Sequence, residues 1–283
     1  MKNILLPTDF SENSWNAIKY AIHFFEKETC NFYLLYVNRL NNHVIDDDSS
    51  LINSEDILED VYIKPSKQKL RTVLKRIANN FAPNKNHRFY SLSDYDFFIE
   101  SIRKHVEEKN IDIIVMGTKG VSGLRKIIVG SNTGDVITKV KCTTLVVPEK
   151  AEFTKLKEIV FPTDFSLSYD IQILQPLSDI LENHKASLQI LHISKKKANL
   201  NIDQKRNSEL LGDYFNHTPH NFYYLTNTKI EAAIQCFIES RNAEMICMVA
   251  KNLNYFQQIL FHSKIEEISY HTEIPFLVLH EKN

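Results

Sequence analysis

The sequence predicts two tandem α/β domains, each a doubly wound parallel sheet with helices on both faces. Its length of 283 residues is enough for about two domains of ordinary size. Short apolar segments of strand length alternate with amphipathic segments of helix length along the whole chain, which is typical of a parallel sheet covered by helices. A segment near the start recurs in the second half, so we expect one fold used twice.

The internal repeat is strongest at the two ends of each half. Residues 4–11, ILLPTDFS, recur as residues 159–166, IVFPTDFS, with five consecutive identities. Residues 112–149 align without a gap on residues 244–281. The alignment shift is 155 residues at the front and 132 at the back, so the second half has lost 23 residues in between.

The repeat places the domains at residues 1–150 and 151–283. The segment between them, residues 149–155, is short and polar. A tether of this length is expected to hold the two halves side by side, as a pseudo-dimer within one chain.

Each predicted element follows from its hydrophobic pattern. In the first helix, Ala17, Ile18 and Ala21 recur at helical spacing and form one apolar face. The predicted elements of the first half are strand 3–6, helix 13–27, strand 32–37, a long helix ending near 81, strand 88–92, helix 95–109, strand 111–116, helix 132–140 and strand 143–147. Those of the second half are strand 158–161, helix 169–183, strand 187–193, helix 203–215, strand 222–225, helix 229–241, strand 245–249, helix 265–271 and strand 276–279.

Five of the six glycines fall in one window, from Gly117 to Gly134. A predicted strand, residues 112–116, enters this window, and a predicted helix, residues 132–140, leaves it. Glycine is used where the backbone needs positive φ or where a ligand must come close. A glycine-rich connection that ends at a helix N-terminus is a natural anion site. The window therefore predicts a phosphate-binding loop.

A second loop is expected to face the first. Strand one ends at Pro7-Thr8-Asp9, and strand four ends at Met116-Gly117. In open α/β sheets, ligands bind beyond the carboxyl ends of the strands, where the winding direction reverses. If the sheet reverses between strands one and four, the two loops share one crevice.

The glycine window also resembles a known signature. Gly117, Gly120, Gly130 and Ser131 match the Gly-x2-Gly-x9-Gly-Ser/Thr pattern of the universal stress protein family at every spacing. The Pro-Thr-Asp loop fits the same family. The resemblance covers the whole chain, which would then be a tandem of two such domains.

That resemblance implies Rossmann-like domains, each an open five-stranded sheet of order 3-2-1-4-5, that pair through their last strands. It implies that members with the glycine signature bind ATP, and that they are mostly cytoplasmic and linked to stress survival or signalling. No shared catalytic activity is implied. We therefore expect a regulatory ATP-binding protein and not an enzyme, with ATP hydrolysis slow at most.

The resemblance also implies roles for individual residues. Asp9 and Val37 would hold the adenosine end, whereas Ser131, Asn132 and Thr133 would reach phosphate oxygens. Lys119 would supply a screened positive charge. Magnesium would sit mainly on the phosphates, because no carboxylate cluster points to a dedicated cage. The full expected site is Thr8, Asp9, Val37, Met116, Gly117, Lys119, Gly120, Gly130, Ser131, Asn132 and Thr133.

A purely structural role, as a helix cap, is the alternative for Asp9 and Ser131. Asp9 could simply cap the first helix, with Glu12 completing a capping box. The second half supports this alternative, because it keeps the Pro-Thr-Asp-Phe-Ser segment while it loses the glycines. Ser131 would cap its helix in either case.

The second half is not expected to bind ATP. The alignment places Val249 on Gly117, Asn252 on Gly120 and His262 on Gly130, and only Ser263 matches its counterpart. Valine would be strained where positive φ is needed, and all three side chains would crowd phosphates. The apolar insert 256–261 could cover the empty crevice or offer a partner surface. A nucleotide-independent interaction module is therefore the alternative function. The sequence does not decide whether two chains associate into a homodimer.

Charge and composition exclude several classes. A formal net charge of −1 gives no electrostatic reason to expect nucleic-acid or anionic-membrane binding. No apolar run approaches the ~20 residues that a membrane span needs. The four cysteines have no CxxC spacing, so we expect reduced thiols in a cytoplasmic protein. The signatures of phosphate-loop NTPases, dinucleotide-binding enzymes and serine hydrolases are missing, and the segment His217–His220 is expected to form a surface turn.

Overall fold

The computed structural model describes residues 1–39, 63–118, 131–166, 169–194, 199–227, 229–251 and 274–281. Within them, the chain forms ten strands and seven helices. The first half contains β1 (Lys2–Pro7), α1 (Glu12–Phe24), β2 (Cys30–Arg39), α2 (Lys64–Asn80), β3 (His87–Asp96), α3 (Phe98–Glu108), β4 (Ile113–Gly117), α4 (Ser131–Lys139) and β5 (Thr144–Val147). The second half contains β6 (Glu158–Thr163), α5 (Ile171–His184), β7 (Ser187–Ser194), α6 (Ile202–Tyr214), β8 (His220–Thr226), α7 (Ile230–Arg241), β9 (Met245–Val249) and β10 (Phe276–Leu279).

All ten strands belong to one sheet, in the order β3-β2-β1-β4-β5-β10-β9-β6-β7-β8. Strands β1 to β5 pair in parallel with one another, and so do β6 to β10. The two sets meet where β5 pairs with β10 in the antiparallel sense. Each half therefore has the order 3-2-1-4-5, which confirms the predicted fold class.

The central strands are apolar because helices cover both of their faces. Every residue of β5, β9 and β10 is buried. Successive residues of β1 enter different cores: Ile4 and Leu6 pack with α1, whereas Leu5 packs with Ile102 of α3 and Val136 of α4. The core on the α1 side continues across the β5–β10 pair into the second half.

The segment between the halves is docked against α1. The Asn16 side-chain amide donates to the carbonyls of Pro148 and Ala151, at 3.2 and 2.9 Å. The Phe153 ring lies 6.0 Å from the Phe24 ring, and Ala151 is buried. Most residues of this segment are polar, but Ala151 and Phe153 are apolar and pack against the core. Their contacts hold the segment in place.

The boundary between β3 and α3 differs from the sequence prediction. All ten residues of β3 pair with β2, from His87 beside Cys30 to Asp96 beside Arg39. The predicted helix start at residue 95 is therefore wrong, because backbone pairing carries the strand through Asp96. The predicted helix 265–271 lies outside the described residues. No helix in the described part of the chain has the length and hydropathy of a membrane span.

Candidate functional site

The sheet reverses its winding direction at β1, which pairs with β2 on one side and with β4 on the other. The carboxyl ends of β1 and β4, at Pro7 and Gly117, therefore lie at the same edge of adjacent strands. The reversal on which the predicted crevice depends is present at this edge. The helix that begins at Ser131 approaches the same edge.

The loop after β1 is held by its own hydroxyl and carboxylate groups. The Thr8 Oγ1 accepts the backbone N–H of Phe10 at 3.0 Å and lies 3.0 Å from the Ser14 Oγ. The Asp9 Oδ1 accepts from the Ser11 backbone N–H at 3.1 Å and from the Ser11 Oγ at 2.5 Å. These bonds fix Asp9 at the rim of the crevice.

The proposed capping box of Asp9 and Glu12 is wrong. Ser11 is the N-cap of α1 and accepts from the Ser14 backbone N–H at 3.2 Å. Glu12 instead accepts two hydrogen bonds from the Arg76 guanidinium, at 2.8 and 2.9 Å. The chain turns at Phe10, where φ is 65°, and this turn moves the cap two residues past Asp9.

Gly117 is required by the close approach of Asn13. A Cβ atom at residue 117 would lie 2.5 Å from the Asn13 Nδ2 and 2.8 Å from its Cγ. Gly117 still belongs to β4, and its φ is not in the left-handed region. The expectation of a positive φ at Gly117 is therefore wrong, and the lack of a side chain there makes room for Asn13 of α1.

The first turn of α4 is tied to the end of β4. The Thr133 Oγ1 donates to the Gly117 carbonyl at 2.8 Å, and Thr133 is only 2% exposed. The Thr133 hydroxyl proton is thus directed at the backbone, whereas the prediction sends this side chain to a phosphate. Ser131 is exposed and Asn132 is half-buried. The backbone N–H groups of this first turn have no partner within the helix, and the helix dipole favours an anion beside them.

Val37 and Met116 are buried in the apolar cluster between the sheet and helices α3 and α4. They place a hydrophobic surface on the same side of the sheet as the α4 N-terminus. The other predicted site residues, Lys119, Gly120 and Gly130, lie outside the described residues.

Asp94, Ser101 and His105 form a polar cluster beside the crevice that the sequence analysis does not predict. Asp94, on β3, accepts hydrogen bonds at Oδ2 from the Ser101 Oγ at 2.6 Å and the His105 Nε2 at 2.8 Å. Burial is the largest single effect and raises the pKa of Asp94, but the hydrogen bonds from His105 and Ser101 and the charge interactions with His105 and Lys104 together outweigh it, so the net shift is downward. Ser101 and His105 stand four residues apart and share a helix face, which is the only sequence signal.

The second half repeats the loop without the glycine window. The Thr163 Oγ1 accepts from the Phe165 backbone N–H at 3.0 Å, and the Asp164 Oδ1 accepts from the Ser166 N–H at 2.9 Å. Val249 lies in the extended strand β9, so the prediction of strain from positive φ is wrong. The other predicted substitutions, Asn252, His262 and Ser263, lie outside the described residues, and so does the insert 256–261.

Side chains of the second half also cover its own loop. The His192 ring stacks on the Phe165 ring at 5.0 Å, and its Nδ1 lies 3.0 Å from the Thr163 carbonyl oxygen. From α6, Gln204 donates to the Asp164 carbonyl and Asn207 donates to the Phe165 carbonyl, both at 2.8 Å. Side chains of α6 therefore already donate to the Asp164 and Phe165 carbonyls of this loop.

A separate cavity of about 280 Å³ lies at the amino ends of the strands. Lys2 and Asp112 of the first half face Gln172 and Asp179 of the second half across it. It is at the edge of the sheet opposite the crevice. Among the described residues, no group of three or more His, Cys, Asp or Glu side chains is arranged to hold a metal ion.

Comparisons with known proteins agree with this arrangement. The model of the universal stress protein family matches residues 1–148. Universal stress proteins MJ0577 and MJ0531 of Methanocaldococcus jannaschii are 32% identical over 164 residues and 28% identical over 146. These matches cover 53% and 52% of this chain, and 96% and 81% of the relatives. A universal stress protein structure from Archaeoglobus fulgidus shares the fold over 98% of this chain and 97% of its own, with a TM-score of 0.63 and 19% identity. The chain belongs to the universal stress protein family.

Proposed function

We propose that this chain is a regulatory protein that binds one ATP, in the crevice of its first half. The observation that carries the proposal is the hydrogen bond from Thr133 to the Gly117 carbonyl. It holds the first turn of α4 at the carboxyl edge of β4, where the glycine signature begins. A helix N-terminus held beside a glycine-rich loop is suited to phosphate.

The nucleotide would lie across the crevice. Its adenosine end would contact Asp9, Val37 and Met116, and its phosphates would accept from the backbone N–H groups that begin at Ser131. In this proposal, Thr133 positions the helix rather than touching a phosphate. Magnesium would be held mainly by the phosphates. Gly120 and Gly130 are included because they belong to the glycine signature, and Lys119 is included because of the resemblance to the family.

Binding in the first half alone is supported by the contrast between the two loops. Val249 brings a side chain to the position where Gly117 has none. Gln204 and Asn207 already donate to the loop of the second half. We propose that the second half serves as the pairing partner, through the antiparallel contact of β5 with β10.

Titration calorimetry of the full chain with Mg·ATP tests the proposal. We expect close to one ATP per chain, and about 2.7 kcal/mol of added stability at a hundred times the Kd. The double variant Gly120→Val with Gly130→Val should abolish binding. Gly212→Ala, at the second-half glycine outside the signature, should leave binding unchanged. Binding that survives the double variant, or no binding by the natural chain, would overturn the proposal.

A second candidate function is a nucleotide-independent interaction module. Ile171, Ile202 and Tyr224 of the second half are more than half exposed, at 64%, 86% and 55%, and could contact a protein partner or a second chain. Light scattering of the natural chain and of an Ile202→Ser variant, with and without ATP, addresses this candidate. Association that depends on Ile202 and ignores ATP would favour it. Phosphate release above background would favour a slow ATPase instead.

A further inference from the structure

Asp94 stands beside Val37 at the rim of the crevice. The two residues are partners in the parallel register of β2 and β3, so their backbones are about 4.8 Å apart. Residues at one register position project from the same face of the sheet. That face carries α3 and α4, because Val37 packs with Ile102 and Val136. A base that lies against Val37 would therefore meet Asp94 as its next polar neighbour.

The Asp94 carboxylate is held by one of its two oxygens. Ser101 and His105 both donate to Oδ2, and these two residues are 0% and 4% exposed. In the part of the chain that the structure describes, Oδ1 accepts no side-chain or backbone hydrogen bond. The carboxylate is thus fixed in orientation through Oδ2, and its Oδ1 atom is available to accept a hydrogen bond.

The tautomer of His105 follows from the same contacts. Its Nε2 donates to a carboxylate, and its Nδ1 is buried without a hydrogen-bond partner among the described residues. A carboxylate can only accept, so the proton of this hydrogen bond belongs to Nε2. Asp94 therefore presents only acceptor groups to the crevice.

We propose that Asp94 selects the base of the bound nucleotide, by accepting a hydrogen bond from the exocyclic 6-amino group of adenine. Ser101 and His105 act as positioning residues. A 6-oxo purine would bring a carbonyl oxygen toward the carboxylate and be repelled. This inference rests on the proposed nucleotide function, and it defines adenine, rather than any purine, as the preferred base.

The test compares ATP with inosine triphosphate, which has oxygen in place of the 6-amino group. Calorimetry on the full natural chain should give at least about tenfold tighter binding of ATP, since hydrogen bonds to charged groups are strong. In Asp94→Asn, Ser101 and His105 must still donate to the amide oxygen, which turns the amide N–H₂ toward the base. The preference should then fall to about one or reverse.

The control is Asp96→Asn, which removes the same charge two residues along β3. Asp96 accepts from the Phe97 backbone N–H and has no bond to Ser101 or His105. This variant should keep the full preference for ATP. Thermal melting of each variant checks that it folds, and Ser101→Ala, which should reduce the preference partly, replaces Asp94→Asn if that variant does not fold.

The outcomes separate the two proposals. Equal affinity of the natural chain for ATP and inosine triphosphate overturns the role of Asp94 but leaves nucleotide binding intact. A preference for ATP that is unchanged in Asp94→Asn would also overturn the role of Asp94 and leave nucleotide binding intact. Failure of the natural chain to bind either nucleotide overturns the proposed function, and the role of Asp94 falls with it.

Discussion

Phe10 and Phe165 adopt the same left-handed backbone conformation at equivalent places in the two halves, with φ of 65° and 55°. This conformation is unfavourable for a residue with a side chain. Each ring is held by a residue of the neighbouring strand: Phe10 lies 4.6 Å from Tyr36, and Phe165 lies 5.0 Å from His192. The loop is therefore a packed element of the fold, and nucleotide binding must depend on what surrounds it.

Replacing Phe165 with alanine should destabilise the chain by about 3–5 kcal/mol, because its ring is fully buried in the core. Phe10→Ala should cost less, because Phe10 is half-buried. Urea unfolding followed by circular dichroism measures both changes. Phe97→Ala is the control, since Phe97 is 53% exposed and should change stability by less than about 0.5 kcal/mol. A small effect at Phe165 would contradict the packing account of the loop.

Gly117→Ala should weaken both stability and ATP binding, because the new methyl group would overlap Asn13 at 2.5 Å. The matched change Gly212→Ala places a methyl group 3.6 Å from the Phe222 ring, an ordinary contact. Inside helix α6 this change should add about 0.5–1 kcal/mol of stability. Thermal melts with and without ATP compare the two. Equal melting temperatures for both variants would show that Gly117 is not constrained by Asn13.

Thr133→Val should lower ATP affinity and remove about 1 kcal/mol of stability, because the half-buried Gly117 carbonyl loses the hydrogen bond from the Thr133 hydroxyl. Thr133→Ser keeps the hydroxyl and should retain most of both. Calorimetry of the two variants separates the hydrogen bond from the volume of the side chain. If valine and serine behave alike, the tie between α4 and β4 does not position the phosphate site.

His184 should make the contact between the halves sensitive to acid. Burial, with Lys27 and Lys2 nearby, lowers the pKa of His184 from 6.5 to about 4, and its ring lies 4.6 Å from the Phe24 ring. In the unfolded chain, His184 becomes protonated as the pH falls below about 6.5. In the folded chain it stays neutral down to about pH 4. Stability should therefore fall as pH drops through this window, by about 1–3 kcal/mol after allowance for partial exposure.

Melting temperatures between pH 4 and 7 check this expectation. His184→Phe should flatten the slope, because it keeps an aromatic ring and removes the titrating group. His217→Ala, in an exposed turn of the second half, is the control and should leave the slope unchanged. His280, whose pKa burial also lowers to about 4, should account for part of the slope that stays in His184→Phe.

The alternation of strands and helices and the internal repeat were sufficient to predict two doubly wound parallel sheets, because right-handed crossovers leave few topologies for such a pattern. The strand order 3-2-1-4-5 came from the resemblance to the universal stress protein family, and alternation alone did not predict it. The reason for Gly117 was not predictable, because it depends on where the Asn13 side chain lies after α1 has packed on β4. Asp94 was missed for a similar cause: its partners are seven and eleven residues away, and only the packing of α3 on β3 brings them together.

Native mass spectrometry of the full chain with saturating Mg·ATP tests the central claim most directly. A single added nucleotide mass per chain is expected, and it should disappear when Gly120 and Gly130 are both changed to valine. Two nucleotides per chain would contradict the contrast between the halves. No nucleotide at all would contradict the account of the crevice.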